Sequence, residues 1–261
     1  MRALALYGGL LLSALMLPIV VVVIGSLTAG ERLAFPPDGL SLRWYAALLG
    51  SREFVEAAWT SLEVAALTSL AAGIGGGLAA LALARRRLHF MAAAEILLTL
   101  PLGMPSIALG LAFLICYTEL GFGGGKAALV CGHTIITLPF ALRLVRANFA
   151  GYGWNLERAA ANLGGRPWQV FWHVTLPLMR PGVIGGMIFA FIVSFDEVVI
   201  ALFLSSPDAV TLPVRIFTYL DQSPSPIVLA AGSVLVLFAV TLMLALEWTV
   251  RIGRAFGLDE T

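Results

Sequence analysis

The chain has 261 residues, 60% of them hydrophobic and 12% charged, with a formal net charge of +1. A mean hydropathy of +0.95 argues against a soluble globule and marks a membrane protein. The near-neutral balance, with no Lys/Arg-rich arm, argues against a nucleic-acid partner, and the two cysteines, Cys116 and Cys131, form no CxxC pair that would suggest a disulfide framework or zinc site.

Leu4 to Leu27 is uncharged, too long for the apolar core of a signal peptide and long enough to cross a hydrocarbon layer of about 30 Å. It is predicted as a retained first span, kinked at Pro18. Ala29 to Glu56 is mixed and polar. Phe35-Pro36-Pro37-Asp38-Gly39 is a turn cluster there, and Leu42-Arg43-Trp44-Tyr45 opens a short surface helix with aromatics suited to the water–lipid boundary. Ala57 to Ala84 is the second span; Gly73 and Gly75-Gly76-Gly77 allow close helix contact, and Arg85-Arg86-Arg87 end it. Phe90 to Tyr117 is the third, broken by Pro101 and Pro105, and Ala127 to Leu142 the fourth, continuing as helix past Arg143 and Arg146. Pro181 to Leu204 and Ile227 to Trp248 are the fifth and sixth, followed by a short polar tail, Arg251 to Thr261.

Six spans place both termini on one side. Eleven basic residues, among them Arg85, Arg86, Arg87, Arg143 and Arg146, share that side, against five on the other, including Arg43 and Lys126. The positive-inside rule therefore predicts cytosolic termini.

The polar and basic stretch from Gly151 to Pro181 lies between two apolar runs. Within it Leu156, Ala159, Ala160 and Leu163 fall at i, i+3, i+4 and i+7, the stripe of a short helix. Asn155 is its predicted N-cap, Glu157 puts negative charge in the first turn, and Gly164-Gly165 followed by Pro167 supply the stop. The helix is about two turns long, and Ala159-Ala160-Ala161 leaves its backbone open to close approach.

These residues resemble the signature loop of the membrane subunits of ATP-binding-cassette importers: Glu-Ala-Ala, three residues, Gly, nine residues, a branched aliphatic, any residue, Leu-Pro. Ala159-Ala160, Gly164, Val174 and Leu176-Pro177 match in type and spacing. Arg158 stands where the motif has Glu, and Glu157 lies one residue earlier. The resemblance implies an all-α integral membrane protein of the type I importer permease kind. It would form one domain over 1–261, with six transmembrane helices and a cytosolic coupling loop at 153–177 between the fourth and fifth. It also implies two ATPase subunits carrying ATP and Mg, a second permease subunit, similar or identical, with a heterodimer favoured, an extracytoplasmic solute-binding protein and the bacterial inner membrane. Coupling to the ATPase would fall to Glu157, Arg158, Ala159, Ala160 and Gly164. This chain itself is expected to hold no cofactor, no metal and no catalytic residue.

The glycine-rich run Gly121 to Ala127 lacks the P-loop pattern, which needs Gly at Leu120 and Ser or Thr at Ala127. Ser194-Phe195-Asp196-Glu197 lies inside the fifth apolar run, where each acid costs on the order of a few kcal/mol unless it meets water, a partner group or a cation. One of the two faces a pathway and the other a neighbouring helix; alternatively the pair is packed or protonated and holds helices together. With the residues that follow, Val-Val-Ile-Ala-Leu-Phe-Leu-Ser, the segment resembles the corresponding span of spermidine/putrescine permeases, as do Thr211-Leu212-Pro213, Leu100-Pro101 and Met104-Pro105. Ser194, Asp196 and Glu197 are thereby the predicted solute pathway, with a polyamine as solute. Ferric iron, phosphonates, opines and amino-acid-like compounds are alternatives within the class. Glu63, Glu95 and Glu247 near span ends are expected to pair with the Arg clusters or snorkel, Tyr219 and Asp221 to lie in a solvated outer loop, and Trp154, Trp168 and Trp172 to anchor the interface or pack. His89, His133 and His173 are scattered. Outside the transporter class, a scaffolding subunit needs no particular residue, whereas an intramembrane enzyme would need a catalytic dyad or metal pair at membrane depth; the sequence shows no Ser/His or paired-Asp constellation on facing spans and leaves only Ser194 with His133 open.

Overall fold

The computed structural model describes residues 2–85, 90–121, 123–150, 155–222 and 224–255. Arg86, Arg87, His89, Phe122, Trp154 and the end of the polar tail lie outside the described residues, as do the side chains of Glu247, Arg251 and Arg254. The chain divides into two compact units, Met1–Ala57 with Val214–Thr261, and Ala58–Pro213.

In the first unit, α1 (Arg2–Gly25) packs on α12 (Ile227–Ala255), with Gly25 against Leu229 and Gly232 against Val22. α2 (Arg43–Gly50) is the predicted surface helix. Its Tyr45 hydroxyl sits between the Ser26 hydroxyl at 2.6 Å and the Ser233 hydroxyl at 3.0 Å, so one phenol satisfies polar groups at the end of α1 and in α12. Trp44 donates its indole N–H to Gly30 O at 3.1 Å, and Arg43 lies over the indole ring. The first unit also contains most of α11 (Leu212–Gln222), predicted as a solvated loop. It forms a helix because Pro213 stands in the first turn, where its missing N–H costs nothing, and because Phe54 covers the Tyr219 ring at 5.4 Å between centroids.

The second unit is a helical bundle in which small residues set the spacing. α6 (Lys126–Ala150) and α9 (Leu176–Asp196) run antiparallel in one register: Gly186 lies on Ala141, and four residues on, Gly182 lies on Val145. A Cβ at either glycine would come within 2.9 Å of the opposite Cα. α3 (Arg52–Arg85) contributes Gly76, where a Cβ would sit 2.7 Å from the Ala141 methyl, and Gly73, where it would meet Met187. In lipid, contacts this close do what hydrophobic burial does in water. Ion pairs staple the bundle further: Glu95 pairs with Arg146, as expected for that acid, whereas Glu63 meets Lys126 and not an arginine.

The third span is broken at the two prolines the sequence pointed to. α4 (Phe90–Thr99) and a 3-10 turn, Leu100–Gly103, meet α5 (Ser106–Glu119) at 110°. Pro101 and Pro105 bracket the corner: the ring of Pro105 forces Met104 extended, and the helix cannot continue through it. Among the described residues, five helices are long and apolar enough to cross a membrane, and this bent pair counts as the sixth if it is one span.

The fifth span is also interrupted. α9 ends at Asp196, Glu197 is extended with φ −72° and ψ 118°, and α10 (Val199–Leu204) follows. The expectation of a continuous helix through both acids is corrected here: Glu197 accepts a hydrogen bond from Ile200 N–H at 3.0 Å, so its carboxylate satisfies an orphan donor at the start of α10. α10 is deeply set. Phe203 packs against Gly110 of α5, Leu204 against Gly132 of α6, and Leu204 O accepts from Gly125 N–H at 2.8 Å. Gly124 is therefore glycine because the chain passes backbone to backbone against Leu204 and Ser205, and Gly125 because it takes φ +126°, not because they hold a phosphate.

Candidate functional site: the coupling helix and the acidic break

α7 (Asn155–Asn162) is the short helix predicted from the stripe, with Asn155 as its first helical residue. Its stop follows from the two glycines. Gly164 takes φ +87°, its N–H donates to Ala161 O at 3.0 Å, and Gly165 N–H donates to Ala160 O at 3.1 Å, the paired bonds of a Schellman ending. Gly164 is required by backbone angle. Gly165 is required by space, since a Cβ there would lie 2.8 Å from Ala160 O. α8 (Pro167–Val170) starts after this turn, with Arg166 N–H donating to the Gln169 side chain, and widens into a π turn over Phe171–Thr175 just before Pro177. Pro177 has no N–H to offer the carbonyl of His173, and the wider turn relieves that clash.

The predicted stripe is uncovered. Leu156 is 48% exposed and Leu163 89%, with Ala159 exposed and Ala160 partly so. Beside it lies an open groove of about 410 Å³ lined by Ala160, Leu163, Gly165, Val170, His173 and Val174. Arg158 is exposed, whereas Glu157 is partly buried and accepts a hydrogen bond from the buried Thr175 hydroxyl at 2.5 Å. The acid beside the motif position thus ties α7 to the base of α9. Trp168 and Trp172 are exposed, and Trp172 meets Phe171 edge-on.

Removing that tie should loosen α7 by roughly 1 kcal/mol, the value of one hydrogen bond. In detergent-solubilised permease, Glu157→Ala is expected to speed tryptic cleavage at Arg158 about fivefold, while Glu157→Gln, which keeps an acceptor, cleaves at the parent rate. Equal rates for all three would remove the bracing role.

At the other end of the bundle, Asp196 is exposed at the last residue of α9 and Glu197 is partly buried. Ser194, named with them in the sequence, is 3% exposed and turned toward α6, where its hydroxyl lies 2.8 Å from His133 Nδ1. The structure therefore joins the Ser–His pair that an enzyme reading required. The pair is not built for nucleophilic catalysis: His133 is fully buried, Ser194 is 3% exposed, and among the described residues no carboxylate holds the ring. The contact joins residues 61 apart in sequence, and it follows from the register of α6 against α9.

Residues 71–252 match the family described as "Binding-protein-dependent transport system inner membrane component". The chain is 32% identical over 217 residues to the putrescine transport system permease protein PotI of Escherichia coli (strain K12), covering 80% of this chain and 77% of that one. It is 27% identical to the spermidine/putrescine transport system permease protein PotC of the same organism, covering 91% and 89%. It is also 28% identical to the putative 2-aminoethylphosphonate transport system permease protein PhnV of Salmonella paratyphi A, covering 92% and 90%. Among solved structures, a bacterial alginate ABC transporter in complex with an alginate pentasaccharide-bound periplasmic protein shares the fold, with a TM-score of 0.69 at 16% identity over 98% of this chain and 96% of that one. The MetNI methionine ABC transporter does so with a TM-score of 0.63 at 18% identity over 76% and 95%. A signature loop closed by its two glycines, a bundle of apolar helices and a family match over most of the chain lead to one conclusion: the protein belongs to the binding-protein-dependent transport system inner membrane component family, as a multi-pass permease subunit of an ABC importer and not an enzyme.

Proposed function

We propose that this permease imports a small cationic solute, a polyamine such as spermidine or putrescine, and that α7 couples its passage to ATP hydrolysed with Mg on two cytosolic ATPase subunits. A second, non-identical permease would complete the pathway, and both termini would face the cytosol, where the positive-inside rule puts them. The observation that carries the solute class is the interruption of α9 at Asp196. A helix that ends within an apolar run presents its carbonyl ends, the negative pole of its dipole, and here an exposed carboxylate stands at the same point. Such a place favours a cation. The polyamine names of two relatives support the same class.

Coupling is supported by the uncovered apolar stripe of α7, which is short enough and bare enough to seat in a cleft. When the ATPases close, a helix so seated is drawn inward and carries α6 and α9 with it, exposing the pathway to the other side.

Asp196→Asn tests the solute reading in vesicles holding the whole importer and its binding protein. An exposed carboxylate near a cation is worth on the order of 1.4 kcal/mol, so uptake of radiolabelled putrescine should fall about tenfold, with Asp196→Glu close to the parent. Unchanged uptake in Asp196→Asn would reduce the acid to a helix end, and a parent importer whose hydrolysis ignores putrescine-loaded binding protein would overturn the polyamine assignment.

A further inference from the structure

α6 and α9 are fastened at two levels of their shared register. Near the α7 end, Asn148 donates its side-chain N–H to Leu178 O at 2.7 Å. Fifteen residues earlier on α6, about 22 Å along the helix, His133 Nδ1 and Ser194 Oγ lie 2.8 Å apart. Between these fastenings the glycine contacts at Ala141 and Val145 bring the two backbones together. Thr137 donates to His133 O at 2.7 Å, which holds the turn of α6 that carries the imidazole. His133 Nε2 has no hydrogen-bond partner, so among the described residues Ser194 is the ring's one polar contact. Ser194 stands two residues before Asp196, where α9 ends. The coupling helix is bonded to the base of α9 through Glu157 and Thr175, and the acidic break is bonded to α6 through Ser194 and His133.

We propose that His133 is a positioning residue for transport: through Ser194 it locks the acidic end of α9 to α6, so that displacement of the coupling loop reaches Asp196 undiminished. Without that bond, the last turn of α9 is free to lag behind α6 while the loop end still moves. This rests on the coupling role proposed for α7.

The test uses the assembled importer in vesicles and reads solute imported per ATP hydrolysed, together with the half-saturating concentration of loaded binding protein. His133→Phe keeps the ring's bulk and loses the bond; Ser194→Ala removes one oxygen. Each is expected to lower solute per ATP about tenfold, the bias one buried hydrogen bond supplies between two states, at an unchanged half-saturating concentration. The double variant should be no worse than either single one. His133→Asn, whose amide reaches the place of Nδ1, should recover the stoichiometry to within about twofold. If the ring mattered only as packing, Asn would be worse than Phe, and that order would overturn the proposal, as would parent stoichiometry in Ser194→Ala. Should His133→Phe fail to insert, Ser194→Ala and His133→Asn decide. An unaltered importer whose hydrolysis does not respond to loaded binding protein would instead overturn the coupling reading beneath it.

Discussion

Ala160→Trp should leave the permease in the membrane and its partners assembled, yet lower solute import at least a hundredfold while ATP hydrolysis continues. Ala160 stands on the uncovered face of α7 and lines the groove beside it. Its carbonyl, not its methyl, holds the turn at Gly165, so the substitution does not disturb the helix stop. An indole there adds bulk only where a partner has to approach the helix backbone, and misplacement of about one ångström in a fitted contact is enough to cost two orders of magnitude. The check is import and hydrolysis measured on the same vesicles. Asn162→Ala serves as the control: it trims an exposed side chain of α7 outside the stripe and the predicted coupling set, and is expected to change import less than threefold. Normal import in Ala160→Trp would take the stripe out of the coupling interface. Parallel loss of hydrolysis would mean that it fixes assembly instead.

The parts of the molecule that were legible in the sequence are those whose signals are local. α7 is legible because a stripe with the helical period ends on two glycines, each needed for a reason the structure makes explicit: left-handed backbone at Gly164 and close approach at Gly165. The interruption at Glu197 was hidden because no Pro or Gly marks it; Val198 to Leu204 continues the apolar run, and the break depends on a carboxylate turning to meet Ile200 N–H. α11 is harder to read: Leu212, Ile216, Tyr219 and Leu220 carry a helical stripe, but the segment is short and its helix is secured by Phe54, more than 150 residues away in sequence. Met104-Pro105 announced a break in the third span but not its size, since two prolines fix local angles and only packing decides where the outgoing helix lies. His133 and Ser194 come together through the α6–α9 register. A partial signal existed for that register, because Gly182 and Gly186 form a Gly-x-x-x-Gly pair on one face of α9.

That pair leads to the second large effect. Gly186→Val should lower the stability of the bundle by about 2–3 kcal/mol, because Ala141 has no room to move away. On one side a Cβ at residue 186 would sit 2.9 Å from the Ala141 Cα, and on the other Gly76 already lies so near that its own Cβ would come within 2.7 Å of the Ala141 methyl. Ala141 is clasped between two glycine faces, Ala72 and Ala190 close the same cluster, and the obstructing atoms are backbone that cannot rotate aside. Relief requires α6 and α9 to separate, which in lipid gives up the dispersion contacts that hold them, with no hydrophobic gain to offset the loss. Gly185→Val is the decisive comparison. It places the same side chain one residue away, where a Cβ meets nothing within 4 Å, and is expected to unfold with the parent protein. Thermal unfolding of the three permeases in one detergent reads the difference directly: a drop of several degrees confined to Gly186→Val supports the clasp, whereas equal midpoints would mean that the helices have slack at Ala141. The same separation would pull Ser194 from His133, so a Gly186→Val permease that does assemble should also waste ATP, coupling the stability of this seam to the efficiency of import.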